Sequence, residues 1–268
     1  MKYVIFSDID GTFLDRKTYQ PGPALEAFWQ CQRANISIVF VSAKTRAEIE
    51  PLQRKLGNVA PFISENGGGL YIPQEIFKHL SGFEECPPYW CLRSSIAIEE
   101  LRNALKETAR QIGVEVRGFG DMTTEEVAEK CGLTVEKAGL AQLREFDEPY
   151  IIVNERPGEL DKLKAELAKQ GYRFTSGGSL YHIMGDFDKG ETVRRLKDIY
   201  LEPGPDIRFI GVGDAFNDLP MLRLVDYPFL VRNVAGDYER AIDIPNLTIT
   251  EGIGPEGFRE AVERFIGI

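Results

Sequence analysis

Apolar residues gather along this chain in short runs, each closed by a polar or glycine-containing ending. Tyr3-Val4-Ile5-Phe6, Ser37-Ile38-Val39-Phe40-Val41 and Arg208-Phe209-Ile210-Gly211-Val212 are β-branched or aromatic and apolar at successive positions. That is the pattern of a strand covered on both faces. A helical stretch from Ala24 to Arg33 separates the first two runs, and the order strand–helix–strand predicts a parallel sheet. Pro61-Phe62-Ile63-Ser64 and Phe229-Leu230-Val231 read as further strands of that sheet.

The middle of the chain is patterned differently. Val114 to Arg117 and Tyr150 to Val153 read as strands, and Tyr172 to Thr175 and Leu180 to Met184 flank the turn-forming Ser176-Gly177-Gly178-Ser179 as a hairpin. Helical patterns at Ile98 to Ile112 and Gly158 to Lys169 lie between them. The expected fold is α/β: a Rossmann-like parallel-sheet core of residues 1–82 and 186–268, with an α+β cap inserted at residues 83–185.

Ligands of open α/β sheets sit beyond the carboxyl ends of the strands. The first strand ends in Asp8-Ile9-Asp10-Gly11-Thr12, the second in Ser42-Ala43-Lys44 and the third in Gly213-Asp214-Ala215-Phe216-Asn217-Asp218. Three carboxylates, a hydroxyl and a lysine thus converge on one edge from distant parts of the sequence. Asp8, Asp10 and Asp214 repel one another unless a cation sits among them, and hard oxygen ligands with open positions suit Mg²⁺. One carboxylate is then able to attack phosphorus, and a second, two residues on, to protonate the leaving oxygen and later activate water. Gly11 permits a sharp turn that brings backbone amides toward a phosphate.

Two helix starts carry misplaced cations. Asp188 and Glu191 have capping-box spacing ahead of the helical run from Thr192 to Tyr200, which puts Lys189 in the first turn. Lys44 and Arg46 lie near the start of the helix running through Glu48 to Leu56. The macrodipole disfavours a cation there, and a bound anion relieves it.

The formal net charge of −10 argues against nucleic acid as partner. No apolar run approaches the roughly 20 residues that span a bilayer, and the first residues do not read as a secretory signal, so no membrane partner and a cytoplasmic location are expected. Cys31, Cys86, Cys91 and Cys131 lack metal-site spacing and are expected to be free, reduced thiols, with His79 and His182 the only histidines. A monomer or homodimer is expected.

Together, Asp8-Ile9-Asp10-Gly11-Thr12, Ser42, Lys189 and Gly213 to Asp218 resemble the four signature motifs of the haloacid-dehalogenase-like hydrolases, and the insertion resembles the cap of their Cof-type phosphatases. The resemblance implies Asp8 as nucleophile and Asp10 as general acid/base. It implies Ser42 and Lys189 as phosphoryl-holding groups, and Asp8, Asp10, Asp214 and Asp218 around Mg²⁺, with the main-chain carbonyl of Asp10 and the side chain of Asn217 contributing. Val41 to Glu48, Pro61 to Gly68, Arg144 to Pro149, Gly177 to His182 and Asp218 to Leu222 are similar to mannosyl-3-phosphoglycerate phosphatases. That family hydrolyses mannosyl-3-phosphoglycerate to mannosylglycerate, a compatible solute. Ser42-Ala43 stands where the family often has threonine-serine, and Ala215 where serine is frequent, which leaves mannosyl and glucosyl substrates both open.

A phosphorylated glycosyl-glycerate asks for cations and neutral donors. Lys44 and Arg46 suit its carboxylate or phosphate, Glu65, Asn66 and Gly67 its sugar hydroxyls, and Ser176, Gly177 and Gly178 offer backbone amides. Arg144, His182 and Asn217 are further candidate substrate contacts. Glu65-Asn66-Gly67-Gly68 reads equally as a hairpin turn; the alternative for Arg144 is a solvated helix end, and for His182 a structural strand residue. Rival readings are another sugar phosphatase, acting on sucrose phosphate or hexose phosphates, a phosphosugar mutase, and a non-enzymatic phospho-receiver.

Overall fold

The computed structural model describes residues 2–77, 79–177, 180–202, 204, 206–238 and 243–266. In chain order the elements are β1 (Lys2–Ser7), α1 (Ala24–Arg33), β2 (Ser37–Val41), α2 (Arg46–Leu56), β3 (Phe62–Ser64), β4 (Gly69–Pro73), β5 (Glu84–Cys86) and β6 (Tyr89–Arg93). There follow α3 (Ile98–Ile112), β7 (Val116–Gly118), α4 (Thr124–Cys131), α5 (Val135–Ala141), β8 (Asp147–Ile152), α6 (Glu159–Lys169), β9 (Arg173–Gly177) and β10 (Leu180–Met184). The chain ends with α7 (Lys189–Leu201), β11 (Ile207–Gly213), α8 (Leu219–Leu222), β12 (Tyr227–Arg232), β13 (Thr248–Ile253) and α9 (Pro255–Glu263).

Among the described residues the strands form a nine-stranded sheet, in the order β13-β12-β11-β1-β2-β3-β4-β6-β5, and a four-stranded sheet, β7-β8-β10-β9. In the large sheet β13 through β3 pair in parallel, and β4, β6 and β5 extend it antiparallel. The reading that placed residues 83–93 in the insertion is therefore corrected. β6 pairs with β4, Ile72 opposite Trp90, and the buried Trp90 joins the large sheet's core. The chain leaves this sheet after β6 and rejoins the layer at α7.

The period of two along each strand sends alternate side chains to opposite faces. Ile5, Ile38, Phe40, Ile210 and Val212 pack against Phe28 of α1, Ile49 of α2 and Phe258 of α9. Val4, Phe6, Val39, Val41 and Phe209 face the other way, onto Val193 and Leu196 of α7 and Leu222 of α8. Each such fully buried side chain contributes about 1.5–3 kcal/mol relative to exposure, which holds β1, β2 and β11 side by side and so aligns their polar endings. In the small sheet, Tyr150, Ile152 and Ile183 pack under Leu101 and Leu105 of α3 and Leu163 and Leu167 of α6. The helices α4 and α5, which the sequence reading did not anticipate, form a separate cluster through Val127, Ala128 and Ala138.

Antiparallel pairing of β5 and β6 sets Cys86 and Cys91 beside one another with Cα atoms 6.1 Å apart, joined as a disulfide. The expectation of four reduced thiols holds only for Cys31 and Cys131. No helix among the described residues is long and apolar enough to cross a membrane.

Candidate active site

Beyond β1 the chain turns within a few residues. Gly11 N–H donates to the Leu14 carbonyl at 2.8 Å and Leu14 N–H to the Ile9 carbonyl at 2.7 Å. Gly11 has φ of 93°, and a Cβ there would stand 2.5 Å from Asp214 Oδ2, so both the conformation and the space demand glycine. The turn projects Asp8 and Asp10 over the edge of the sheet beside the residues that follow β2 and β11.

Lys189 opens α7 and is 1% exposed. Its Nζ donates to Asp8 Oδ1 at 2.6 Å and to Asp218 Oδ1 at 2.7 Å. Burial works against its charge, but Asp218 and Asp8 outweigh it and raise its pKa. Those carboxylates offset the unfavourable dipole at the helix start. Asp218 Oδ2 in turn accepts the backbone N–H groups of Asp214 and Ala215, each at 3.0 Å, which fixes the loop after β11.

Ligand oxygens of Asp8, Asp214 and Asp218 lie within 4.8 Å of one another, all three residues buried. Burial pushes the Asp8 carboxyl up to about 8; Lys189 pulls it down, while Asp218 and Asp214 add to the rise. Asp214 is raised by burial to about 6, with Arg16 opposing and Asp218 reinforcing the shift. Such a cluster calls for more positive charge than the lysine brings. Asp214 Oδ1 and Asp10 Oδ1 are buried with no hydrogen-bond partner among the described residues, an uncommon and costly state. Hard oxygens left unpaired in this way fit Mg²⁺. Since Asp218 is spent on Lys189 and two amides, Asp8, Asp214 and the Asp10 main-chain carbonyl are the groups best placed to hold the ion. The Asp10 carboxylate instead pairs with Lys44, 2.9 Å away. Lys44 also meets Glu48 at 3.0 Å, and the two acids raise its pKa against burial.

A cavity of about 430 Å³ opens over this edge, lined by Asp8, Asp10, Ser42, Lys44, Asp214 and Asn217 from the core and by Arg144 and His182 from the inserted segment. Ser42 Oγ accepts the Lys44 N–H at 3.2 Å. Arg144 is a buried tie, not a solvated helix end. Its guanidinium donates to Asp147 Oδ1 at 2.5 Å, to the Asp147 carbonyl at 3.0 Å and to the Ala43 carbonyl at 2.9 Å. Asp147 also holds His182 Nδ1 at 2.9 Å, which leaves the far edge of the ring toward the cavity that His182 lines. Arg144 and His182 together draw Asp147 down to about 2 despite burial, with Asn66 assisting.

The structure does not bring several expected residues to the cavity. Arg46 pairs with Glu50 at 2.7 Å and lies over the rings of Tyr71 and Tyr89. Glu65 is buried and accepts the backbone N–H groups of Glu145, Phe146 and Asp147. Burial carries its pKa to about 7 against the pull of Arg144. Asn66 bridges Asp147 at 2.5 Å and Asn217 at 3.0 Å. Gly67 abuts the start of α7, where a Cβ would meet the Asp188 carbonyl at 2.3 Å. The stretch 65–67 thus ties the two sheets together and is a 3-10 turn between β3 and β4. Ser176 and Gly177 pair with β10 and do not line the cavity; Gly178 lies outside the described residues. Conversely, Arg16, Tyr19, Phe119, Lys130 and Leu180 line the cavity without having been singled out in sequence. Lys130, the penultimate residue of α4, makes no salt bridge among the described residues.

The family model for haloacid dehalogenase-like hydrolases matches residues 5–81. Across its whole length the chain is 38% identical to a Methanococcoides burtonii protein named glucosyl-3-phosphoglycerate/mannosyl-3-phosphoglycerate phosphatase, covering 98% of that protein. It is 34% identical over 228 residues, 85% of the chain and 90% of the relative, to mannosyl-3-phosphoglycerate phosphatase of Pyrococcus furiosus. A solved haloacid dehalogenase-like hydrolase from Bacteroides thetaiotaomicron shares the fold, with a TM-score of 0.65 at 19% identity over 98% of this chain and 99% of that one. The chain belongs to the haloacid dehalogenase-like hydrolases.

Proposed function

We propose that this chain is a Mg²⁺-dependent phosphomonoesterase that hydrolyses mannosyl-3-phosphoglycerate to mannosylglycerate and phosphate through a phosphorylated Asp8. The observation that carries the reading is the meeting of Asp8, Lys189, Asp214 and Asp218 at one buried point on the sheet edge. The names of the two curated relatives support the substrate class.

Lys189 holds Asp8 Oδ1 and offers its remaining donor to a phosphoryl oxygen, while the other carboxylate oxygen faces phosphorus. As the Asp8–phosphorus bond forms and the phosphorus–ester bond breaks, Asp10, released from its pair with Lys44 and protonated in the substrate complex, gives its proton to the departing glycerate oxygen. Asp10 next takes a proton from a water that attacks the same phosphorus, which cleaves the acyl phosphate and restores the Asp8 carboxylate. Ser42, buried at the cavity floor, donates its hydroxyl to the transferring group. Asp8, Asp214 and the Asp10 carbonyl would hold magnesium, which when bound would supply the charge that offsets repulsion between carboxylate and phosphate oxygens. Lys44 and Arg144 already have acidic or carbonyl partners, whereas Lys130 lines the cavity without a salt bridge among the described residues and is assigned to the glycerate carboxylate.

Because the Methanococcoides burtonii relative carries both sugars in its name, we read the glucosyl ester as a second substrate. Phosphate release is to be measured with mannosyl-3-phosphoglycerate, glucosyl-3-phosphoglycerate, sucrose phosphate and hexose phosphates. Turnover led by the first two supports the reading. Turnover led by hexose or sucrose phosphate overturns the substrate class, and sugar-phosphate interconversion without phosphate release overturns the reaction.

A further inference from the structure

One nitrogen of Arg16 meets two of the groups assigned to the metal, the Asp10 carbonyl and the Asp214 carboxylate. Its Nη2 donates to the Asp10 carbonyl at 2.9 Å and to Asp214 Oδ2 at 2.8 Å. The side chain of Asp214 is almost wholly buried, whereas that of Arg16 is 31% exposed and borders the open cavity, so it is the guanidinium that has room to swing away. Gly11 leaves the path clear, for a Cβ there would lie 2.7 Å from the same nitrogen. Four carboxylates (Asp8, Asp10, Asp214 and Asp218) face two lysines, Lys44 and Lys189. Lys44 is shared with Glu48 as well, so the cluster is short of positive charge; Arg16 brings one such charge and a divalent ion brings two.

From this geometry we infer that Arg16 is an internal stand-in for the divalent ion, seated on the ligand oxygens of the metal-free protein and displaced when the ion enters. The inference rests on the metal reading proposed above. Keeping a competing donor on the same groups multiplies the apparent metal affinity by the fraction of molecules in which that donor is away, a loss of about tenfold for one charge-assisted contact. It also holds the buried Asp214 in register before the ion arrives, so that the loop after β11 does not depend on metal to fold.

Mn²⁺ binding without substrate, followed by electron paramagnetic resonance, tests the displacement in wild type, Arg16→Ala and Arg16→Gln. The expected result is about tenfold tighter binding in both variants. Thermal midpoints give a second readout: the variants should unfold at lower temperature than wild type in chelator and at the same temperature under saturating Mg²⁺. Unchanged or weaker Mn²⁺ binding overturns the inference. So does an equal loss of thermal stability with and without Mg²⁺, which would mean that Arg16 stays on Asp214 beside the ion. An Arg16→Ala protein unfolded in chelator and folded with Mg²⁺ supports it; if that variant folds in neither, Arg16→Gln is read by the same two outcomes. Wild type that binds no Mn²⁺ defeats the metal reading itself, separately from the role of Arg16.

Discussion

Replacing Arg144 by methionine tests whether the buried tie between the two sheets is an energetic unit. The guanidinium is 3% exposed, makes three hydrogen bonds to Asp147 and Ala43 and lies 3.5 Å from Glu65. Methionine fills much of the volume but leaves two buried carboxylates short of their cation. Asp147 retains His182 and Asn66, and Glu65 retains three amides. Breaking one side of a buried ion pair costs about 3–5 kcal/mol, and the surviving partners put this case near 3. For a chain of this size that lowers the midpoint by roughly 6–12 °C. Equilibrium urea unfolding at pH 7, followed by circular dichroism, measures the free-energy loss, and a thermal scan the midpoint. Asp147→Asn alone should also be costly, because it strands Arg144, whereas the double variant should cost about 1–3 kcal/mol less than the sum of the two. A loss below about 1 kcal/mol for Arg144→Met, or strict additivity in the cycle, would show that the tie carries no coupling, and the reasoning would fail.

Three further outcomes are expected. Asp214→Asn should weaken Mn²⁺ binding by on the order of a hundredfold or more, since groups that merely orient a metal ligand are worth about 10–100-fold; an unchanged binding curve removes Asp214 from the ligand set. Lys130→Met should raise KM for mannosyl-3-phosphoglycerate roughly fivefold, the worth of an exposed ion pair, while p-nitrophenyl phosphate, which lacks the carboxylate, is hydrolysed as before; equal changes for both substrates would refute the assignment. Asp147 is held at about 2 against an ordinary 3.8, so the folded protein binds fewer protons than the unfolded chain between those values. The resulting stabilisation, about 2 kcal/mol, is present above pH 4 and lost as pH falls through 2; urea midpoints at pH 5, 4 and 3 should show a steeper acid loss in wild type than in Asp147→Asn.

The residues that proved legible in sequence are those whose surroundings are set by a buried strand. Asp8, Asp10, Ser42 and Asp214 follow runs so apolar that their direction and depth are settled, and once three such runs share a sheet their endings must meet. Lys189 was legible as an anomaly, a cation at a helix start, which Asp8 and Asp218 explain. Arg46 showed the same anomaly but is satisfied locally by Glu50 one turn on, a pairing visible in the i,i+4 spacing. Glu65-Asn66-Gly67 looked like a turn or a sugar site because its partners, the amides of residues 145–147, lie some eighty residues away and have no local signature. Arg16 and Lys130 escaped notice for a related reason. An arginine after a turn and a lysine near a helix end are ordinary in sequence, and only tertiary packing brings them to the cavity. Residues 84–93 carry no apolar run that reads as a strand, and composition does not reveal that they pair as β5 and β6 with the edge of the large sheet.

Where phosphorus goes during turnover decides whether Asp8 is the nucleophile. Wild type mixed with Mg²⁺ and mannosyl-3-phosphoglycerate, quenched in acid within milliseconds and digested for mass spectrometry, should carry one phosphoryl group on the peptide containing Asp8, and Asp8→Asn should carry none and release no phosphate. Phosphate release by Asp8→Asn at a rate near wild type, or label on a different residue, would contradict it.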